Sequence, residues 1–162
     1  MASKVNPGDW VQGSERFLRK VKKATGGGSA IARGKIVLLN ESTGVWAIAT
    51  TGSKGKFGVV THANLDADAQ MVIMMGGGTV YITLDGAVKP DSPLEISGTT
   101  TGEAVQYVRP TVSGSPTQTE VQNARDAFTE IVGFYRGHTD EGDGSDRVIT
   151  DGADADLSLI HI

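Results

Sequence analysis

Thr79-Val80-Tyr81-Ile82-Thr83-Leu84 is the stretch whose reading decides the fold. Val80, Ile82 and Leu84 alternate with Thr79, Tyr81 and Thr83, the period of two expected of a strand with one buried and one wetted face. On its N-terminal side Gln70 to Met75 is an apolar run of strand length, and Gly76-Gly77-Gly78 between the two reads as a hairpin connection. The same grammar extends outward in both directions, as short β-branched runs separated by Gly, Asn, Asp and Pro. Lys35 to Leu39, Val45 to Ala49 and Phe57 to Thr61 precede it, and Leu94 to Ser97, Ala104 to Val108, Ile131 to Tyr135, Arg147 to Thr150 and Leu157 to Ile162 follow. The expected class is mainly β.

One helix interrupts the series, over about 117–130. Thr117 followed by Glu120 forms a capping-box pattern, and Val121, Ala124, Phe128 and Ile131 recur at near-helical spacing. The linker Arg109 to Pro116, with Pro110, Gly114 and Pro116, lets the chain leave the sheet, lay this helix on a surface and return at Ile131.

The chain also echoes itself. Ala32 to Val37, a turn, then Gly44-Val45-Trp46-Ala47 is answered by Ala87 to Ile96, a turn, then Gly102-Glu103-Ala104-Val105. Phe57-Gly58-Val59-Val60 is answered by Val132-Gly133-Phe134-Tyr135, and Ala69 to Ile73 by Ala155 to Leu159, with the helical segment inserted in the second copy.

Composition narrows the function classes. The 162 residues fit one domain or two small ones around a modest core. Without cysteine there is no disulfide framework, thiolate zinc site, iron–sulfur ligation or cysteine nucleophile. The most apolar stretch, Met71 to Met75, is too short to span a bilayer, and no apolar run follows the basic N-terminal residues as a secretory signal requires. The protein is thus expected to act where it is made, with no membrane partner.

Charge divides the chain. Residues 1–25 carry Lys4, Arg16, Arg19, Lys20, Lys22 and Lys23 against Asp9 and Glu15, a local +4, while residues 26–162 sum to −8. Gly26-Gly27-Gly28 between them reads as a hinge, which gives a basic N-terminal arm over 1–25 and a β-rich body over 26–162. Within the arm, Ser14 can cap a short helix carrying Phe17, Leu18 and Val21, although an extended strand fits the same residues.

Motifs for chemistry are weak. The glycines at 26–28 lack the preceding strand, the following helix and the Lys-Ser/Thr pair of a phosphate loop. The cluster Asp140-Glu141-Gly142-Asp143-Gly144-Ser145-Asp146 departs from EF-hand spacing, since Gly142 and Gly144 stand where Asp or Asn is needed, and it reads as a solvated loop. His62, His138 and His161 are isolated, and no serine sits in a nucleophile elbow. No enzyme, cofactor or metal site is expected. The arm, with Trp10 and Phe17 among its cations, suits either phosphate neutralisation with base stacking or docking on a partner protein, and the acidic body favours the protein.

The order of elements carries a resemblance. A Gly-rich entry, Ala32 to Val37, Gly44-Val45-Trp46-Ala47-Ile48-Ala49, Phe57-Gly58-Val59-Val60, a strand pair, Gly86 to Leu94, Gly102 to Val108, Ile131-Val132-Gly133 and an acidic Gly-rich lead into a terminal strand resemble the tailed-phage head-decoration, or capsid cement, proteins. The resemblance covers roughly residues 26–162, with the helical insertion as a departure. It implies a small barrel-like or β-tulip-like domain that joins the outer surface of an assembled capsid, commonly as a trimer, and reinforces it. The partner is then the major capsid protein, the location the virion surface after synthesis in the host cytoplasm, and Trp10, Arg16, Phe17 and Arg19 the expected capsid contacts. A nucleic-acid-binding module using the arm, and a tail or baseplate β protein, are the alternatives.

Overall fold

The computed structural model describes residues 6–10, 15–22, 31–62, 70–139, 147–148 and 157–162. These form two antiparallel sheets. The first holds β1 (Leu18–Lys22), β2 (Ile36–Asn40), β3 (Val45–Ile48), β4 (Phe57–His62) and β5 (Gln70–Met74) in the order β1-β5-β4-β2-β3. The second holds β6 (Thr79–Thr83), β7 (Pro93–Ile96), β8 (Ala104–Gln106), β9 (Gly133–Thr139), the short β10 (Arg147–Val148) and β11 (Leu157–His161) in the order β6-β11-β9-β7-β8, with β10 on β9. The mainly β expectation holds.

The two orders are one order. β1, β2, β3, β4 and β5 correspond to β6, β7, β8, β9 and β11, so the sequence echo is a repeat of topology. Register repeats with it. Ile36 faces Val59 and Val37 faces Gly58; in the second sheet Pro93 faces Phe134 and Leu94 faces Gly133. Val37, Leu38 and Leu39 pair with Ile48, Ala47 and Trp46 as Leu94, Glu95 and Ile96 pair with Gln106, Val105 and Ala104. The five pairs from Leu18↔Met74 to Lys22↔Gln70 match the five from Thr79↔His161 to Thr83↔Leu157. Each sheet also carries one register shift in its β4–β5 or β9–β11 ladder.

Both sheets curl. Five strands that are antiparallel throughout leave their two edges parallel to each other, so any closing contact has to be parallel. That is what the second sheet shows: Leu84, just past β6, makes an isolated parallel bridge to Ala104 on β8. In the first sheet β1 comes within 8 Å of β3, Cα to Cα. No continuous ladder closes either sheet among the described residues, so barrel-like describes the curl and not a completed barrel.

Side chains fill two clusters. The larger joins Ile36, Phe57, Val59 and Met74 of the first sheet to Val80, Ile82, Leu84, Leu94, Ile96, Tyr135 and Ile160 of the second. The smaller, Val37, Trp46, Val60, Met71 and Ile73, lies within the first sheet. Successive residues of β2, Ile36 and Val37, enter different clusters, so this strand is covered on both faces and its sequence is a continuous apolar run. β6 buries only Val80 and Ile82 while Thr79, Tyr81 and Thr83 stay half-exposed, as its alternation requires.

Two readings change. Gly76-Gly77-Gly78 is not a hairpin turn, because β5 and β6 lie in different sheets; it is the crossover between the halves. The close packing there demands glycine: a Cβ on Gly77, at φ +95°, would stand 2.5 Å from the Phe17 ring. Ile162 pins the same segment, accepting from Gly77 N–H and donating to Gly78 O. The described part of the basic arm, residues 6–10 and 15–22, is in turn laid against the body. Residues 15–17 form a 3-10 turn and 18–22 the strand β1, with Leu18 and Val21 packed on the two clusters. The hinge read at 26–28 and the acidic stretch 140–146 lie outside the described residues.

Candidate functional site

The residues expected to contact a partner divide in two. Trp10 and Phe17 serve the fold. Gly8 N–H donates to Tyr81 O at 2.7 Å and Tyr81 N–H to Asp9 O at 2.8 Å, so residues 8–10 cover the outer edge of β6, and Trp10 bridges Val80. The Trp10 ring is half-buried against the larger cluster, tilted on His62 at 5.5 Å. Phe17 is half-buried over the crossover glycines, and its carbonyl accepts from Met75 N–H. An aromatic among cations reads in sequence as an exposed contact, but here the apolar area of both rings has found cover inside the chain.

Arg16 and Arg19 are exposed, and Lys20 with them. The Arg16 guanidinium lies 4.8 Å over the Phe17 ring. Arg19 Nη1 donates to the carbonyls of Arg16 and Leu18 at 2.7 and 2.8 Å, so the cation also shields the rim of an edge strand from unwanted pairing. The result is a row of three positive side chains at the sheet edge of an otherwise acidic chain.

A second surface had only a partial signal in the sequence. The capping box is present as expected: Thr117 Oγ1 accepts from Glu120 N–H and the Glu120 carboxylate accepts from Thr117 N–H, which also holds the Glu120 carboxyl below the usual range. It starts α1 (Gln118–Asp126), followed by a 3-10 turn, Ala127–Glu130. Yet no residue of α1 is buried. Val108, Val112, Val121, Phe128 and Phe134 are the exposed large apolar residues of the described chain, and the first four belong to this inserted segment or its start. Beneath it, the Tyr107 hydroxyl is buried without a hydrogen-bond partner among the described residues, its ring 6.2 Å from that of Phe128. Helical spacing announced an apolar face; it could not say that the face would be left uncovered.

Groups with altered acidity are structural. Asp85 accepts from the hydroxyls of Ser97 and Thr99 and from Thr100 N–H, which pulls its carboxyl down to about 2. The arrangement ties the β7–β8 turn to the end of β6. Glu95 lies in a groove of about 270 Å³ between residues 51–53 and the β7–β8 hairpin; burial raises its carboxyl, and the negative charge of Glu130 raises it further. Glu130 is itself paired with Lys54 at 3.3 Å, so the two carboxylates do not face each other unpaired. Among the described residues no group of three His, Asp or Glu side chains could hold a metal ion, and no helix is long and apolar enough to cross a membrane.

No family model, curated protein or solved structure matches this chain. What the chain binds therefore has to be argued from its own surfaces.

Proposed function

We propose that the chain is a structural virion protein that binds the outer surface of an assembled phage capsid and cements it, acting on the major capsid protein as a homo-oligomer, a trimer. The resemblance of residues 26–162 to capsid cement proteins supports this reading. The observation that carries it is the cationic edge: Arg16, in the turn before β1, and Arg19 and Lys20, on β1, stand exposed. A protein that binds the assembled shell and not the disassembled subunits stabilises the shell by mass action. Arg16 and Arg19 are then the contacting residues, while Trp10 and Phe17 hold the strand that presents them.

Cosedimentation with undecorated capsids, and separately with duplex DNA, at low and moderate salt tests this. Saturable binding to capsids that falls with salt less steeply than binding to DNA phosphates would, and is lost in Arg16→Glu/Arg19→Glu, is the expected result. Steeply salt-dependent DNA binding without capsid binding overturns it in favour of a nucleic-acid module. Point variants are needed because deleting residues 1–25 removes β1 and bares the edge of β5.

A further inference from the structure

Besides the shared core, one hairpin joins the two halves. The tip of the β7–β8 hairpin, residues 98–102, lies on the base of the β2–β3 hairpin, where Ile36 N–H donates to Gly102 O at 2.8 Å and Gly102 N–H to Ala49 O at 3.0 Å. Thr51 Oγ1 donates to Ser97 O at 2.6 Å, and Lys35 pairs with Glu103 at 2.7 Å. The fit is close, since a Cβ on Gly102 would stand 2.8 Å from Ile48 Cγ1.

Because the halves repeat, the second half has an equivalent base and the first an equivalent tip. The base is the end of β8 beside the start of β7, where Tyr107 N–H donates to Pro93 O as Ala49 N–H donates to Ile36 O. The tip is the β2–β3 turn, Glu41 to Gly44. Among the described residues the two do not meet within one chain: the four turn residues are exposed, Gly44 has no atom within 4 Å of where a Cβ would lie, and at the base Arg109 is exposed while Tyr107 is buried against Phe128. Beside the base, Val108 is 73% exposed and the apolar residues of the insertion lie uncovered.

We infer that a second copy of this chain seats its Glu41–Gly44 turn on the Tyr107–Arg109 base, repeating between chains the contact that joins the halves within one. Charge matches the geometry. Arg109 occupies the position of Thr51, and Glu41 that of Gly98, whose Cβ would lie 3.5 Å from Thr51 Oγ1. Among the described residues Arg109 has no ion-pair partner, and Glu41 has only a largely exposed pair with Lys56, which is weak. The backbone part of the template transfers less well: Pro93 has no N–H to donate, and Gly44 N–H is held by Asn40 O. The contact between copies is consequently a side-chain contact, weaker than the internal one. It is heterologous, so it closes into a ring or runs on as a filament. It is independent of what the assembled chain binds.

Sedimentation velocity of the full chain, up to about 1 mM to cover a weak interface, tests the inference. Concentration-dependent association is expected, weakened about tenfold or more by Glu41→Arg or Arg109→Glu and recovered in the double variant, where the pair is restored with reversed sign. Val108→Asp, at an exposed position, should weaken association likewise without lowering the melting temperature. A wild type that stays monomeric throughout, single variants that associate like it, or a double variant no better than the singles overturns the inference.

Discussion

At the base of the β2–β3 hairpin, Ala49 is covered by Gly102 and the turn that carries it, whereas its equivalent at the base of the β7–β8 hairpin, Tyr107, is buried against Phe128 of the insertion, and no hairpin tip bonds to it among the described residues. The pairing pattern is the same on both sides. What differs is the cover. A repeated ladder fixes the backbone, and the surfaces left for partners arise where one copy has an interaction that the other lacks. Even the turns obey this. In the first, Asn40 Oδ1 accepts from the N–H groups of Ser42 and Thr43, and in the second Ser97 Oγ accepts from those of Thr99 and Thr100. Only the second turn recruits a carboxylate from outside, Asp85.

The equivalent core residues Val60 and Tyr135 make the severest test of this pairing of halves. Both are fully buried, and the Tyr135 position faces the cluster shared by the two sheets. Tyr135→Ala should cost about 3–5 kcal/mol in denaturant unfolding, more than Val60→Ala, which removes less buried volume. Both variants should still unfold in one transition because the larger cluster spans the halves. Two separate transitions would show that the halves fold independently.

The hairpin glycines sharpen the contrast. Gly44 and Gly102 have φ of +69° and +74°, so alanine costs each about 1 kcal/mol in backbone strain. Gly102→Ala must also displace Ile48, and should be the more destabilising by roughly 1–3 kcal/mol in the same unfolding measurement. Equal losses would mean that the tip is not seated on the base.

Thr117→Ala probes the segment that has no counterpart in the first half. Losing the cap should weaken α1 locally by about 1 kcal/mol, read as faster amide exchange over Gln118–Asp126. Because α1 buries nothing, the global melting temperature should scarcely move; a large drop would place the helix in the core.

The smallest effect concerns Asp85. Its carboxyl is depressed in the folded chain, so its contribution is present above the ordinary value of 3.8 and is lost as pH falls through about 2. Asp85→Asn should remove that part of the acid dependence, seen as a flatter plot of melting temperature against pH in this window. An unchanged plot would mean that the hydroxyl contacts contribute nothing in solution.

Local order was legible in the sequence because each element depends on neighbours a few residues away. Alternation over Thr79 to Leu84, the Thr117–Glu120 box, the spacing of the β-branched runs and the echo of Phe57-Gly58-Val59-Val60 in Val132-Gly133-Phe134-Tyr135 all reappear as elements and as equivalent registers. Charge likewise marked Arg16 and Arg19 as surface residues. Tertiary structure alone decided what covers what. Three glycines permit a hairpin or a crossover equally well, and only the competing partners, β1 for β5 and β11 for β6, select the crossover. Trp10 and Phe17 carry the same apolar area whether a capsid or Val80 and the crossover glycines receive it, and the four exposed apolar residues around α1 look in sequence like any buried helical face. Burial is settled by residues far away along the chain, and local patterning contains no information about them.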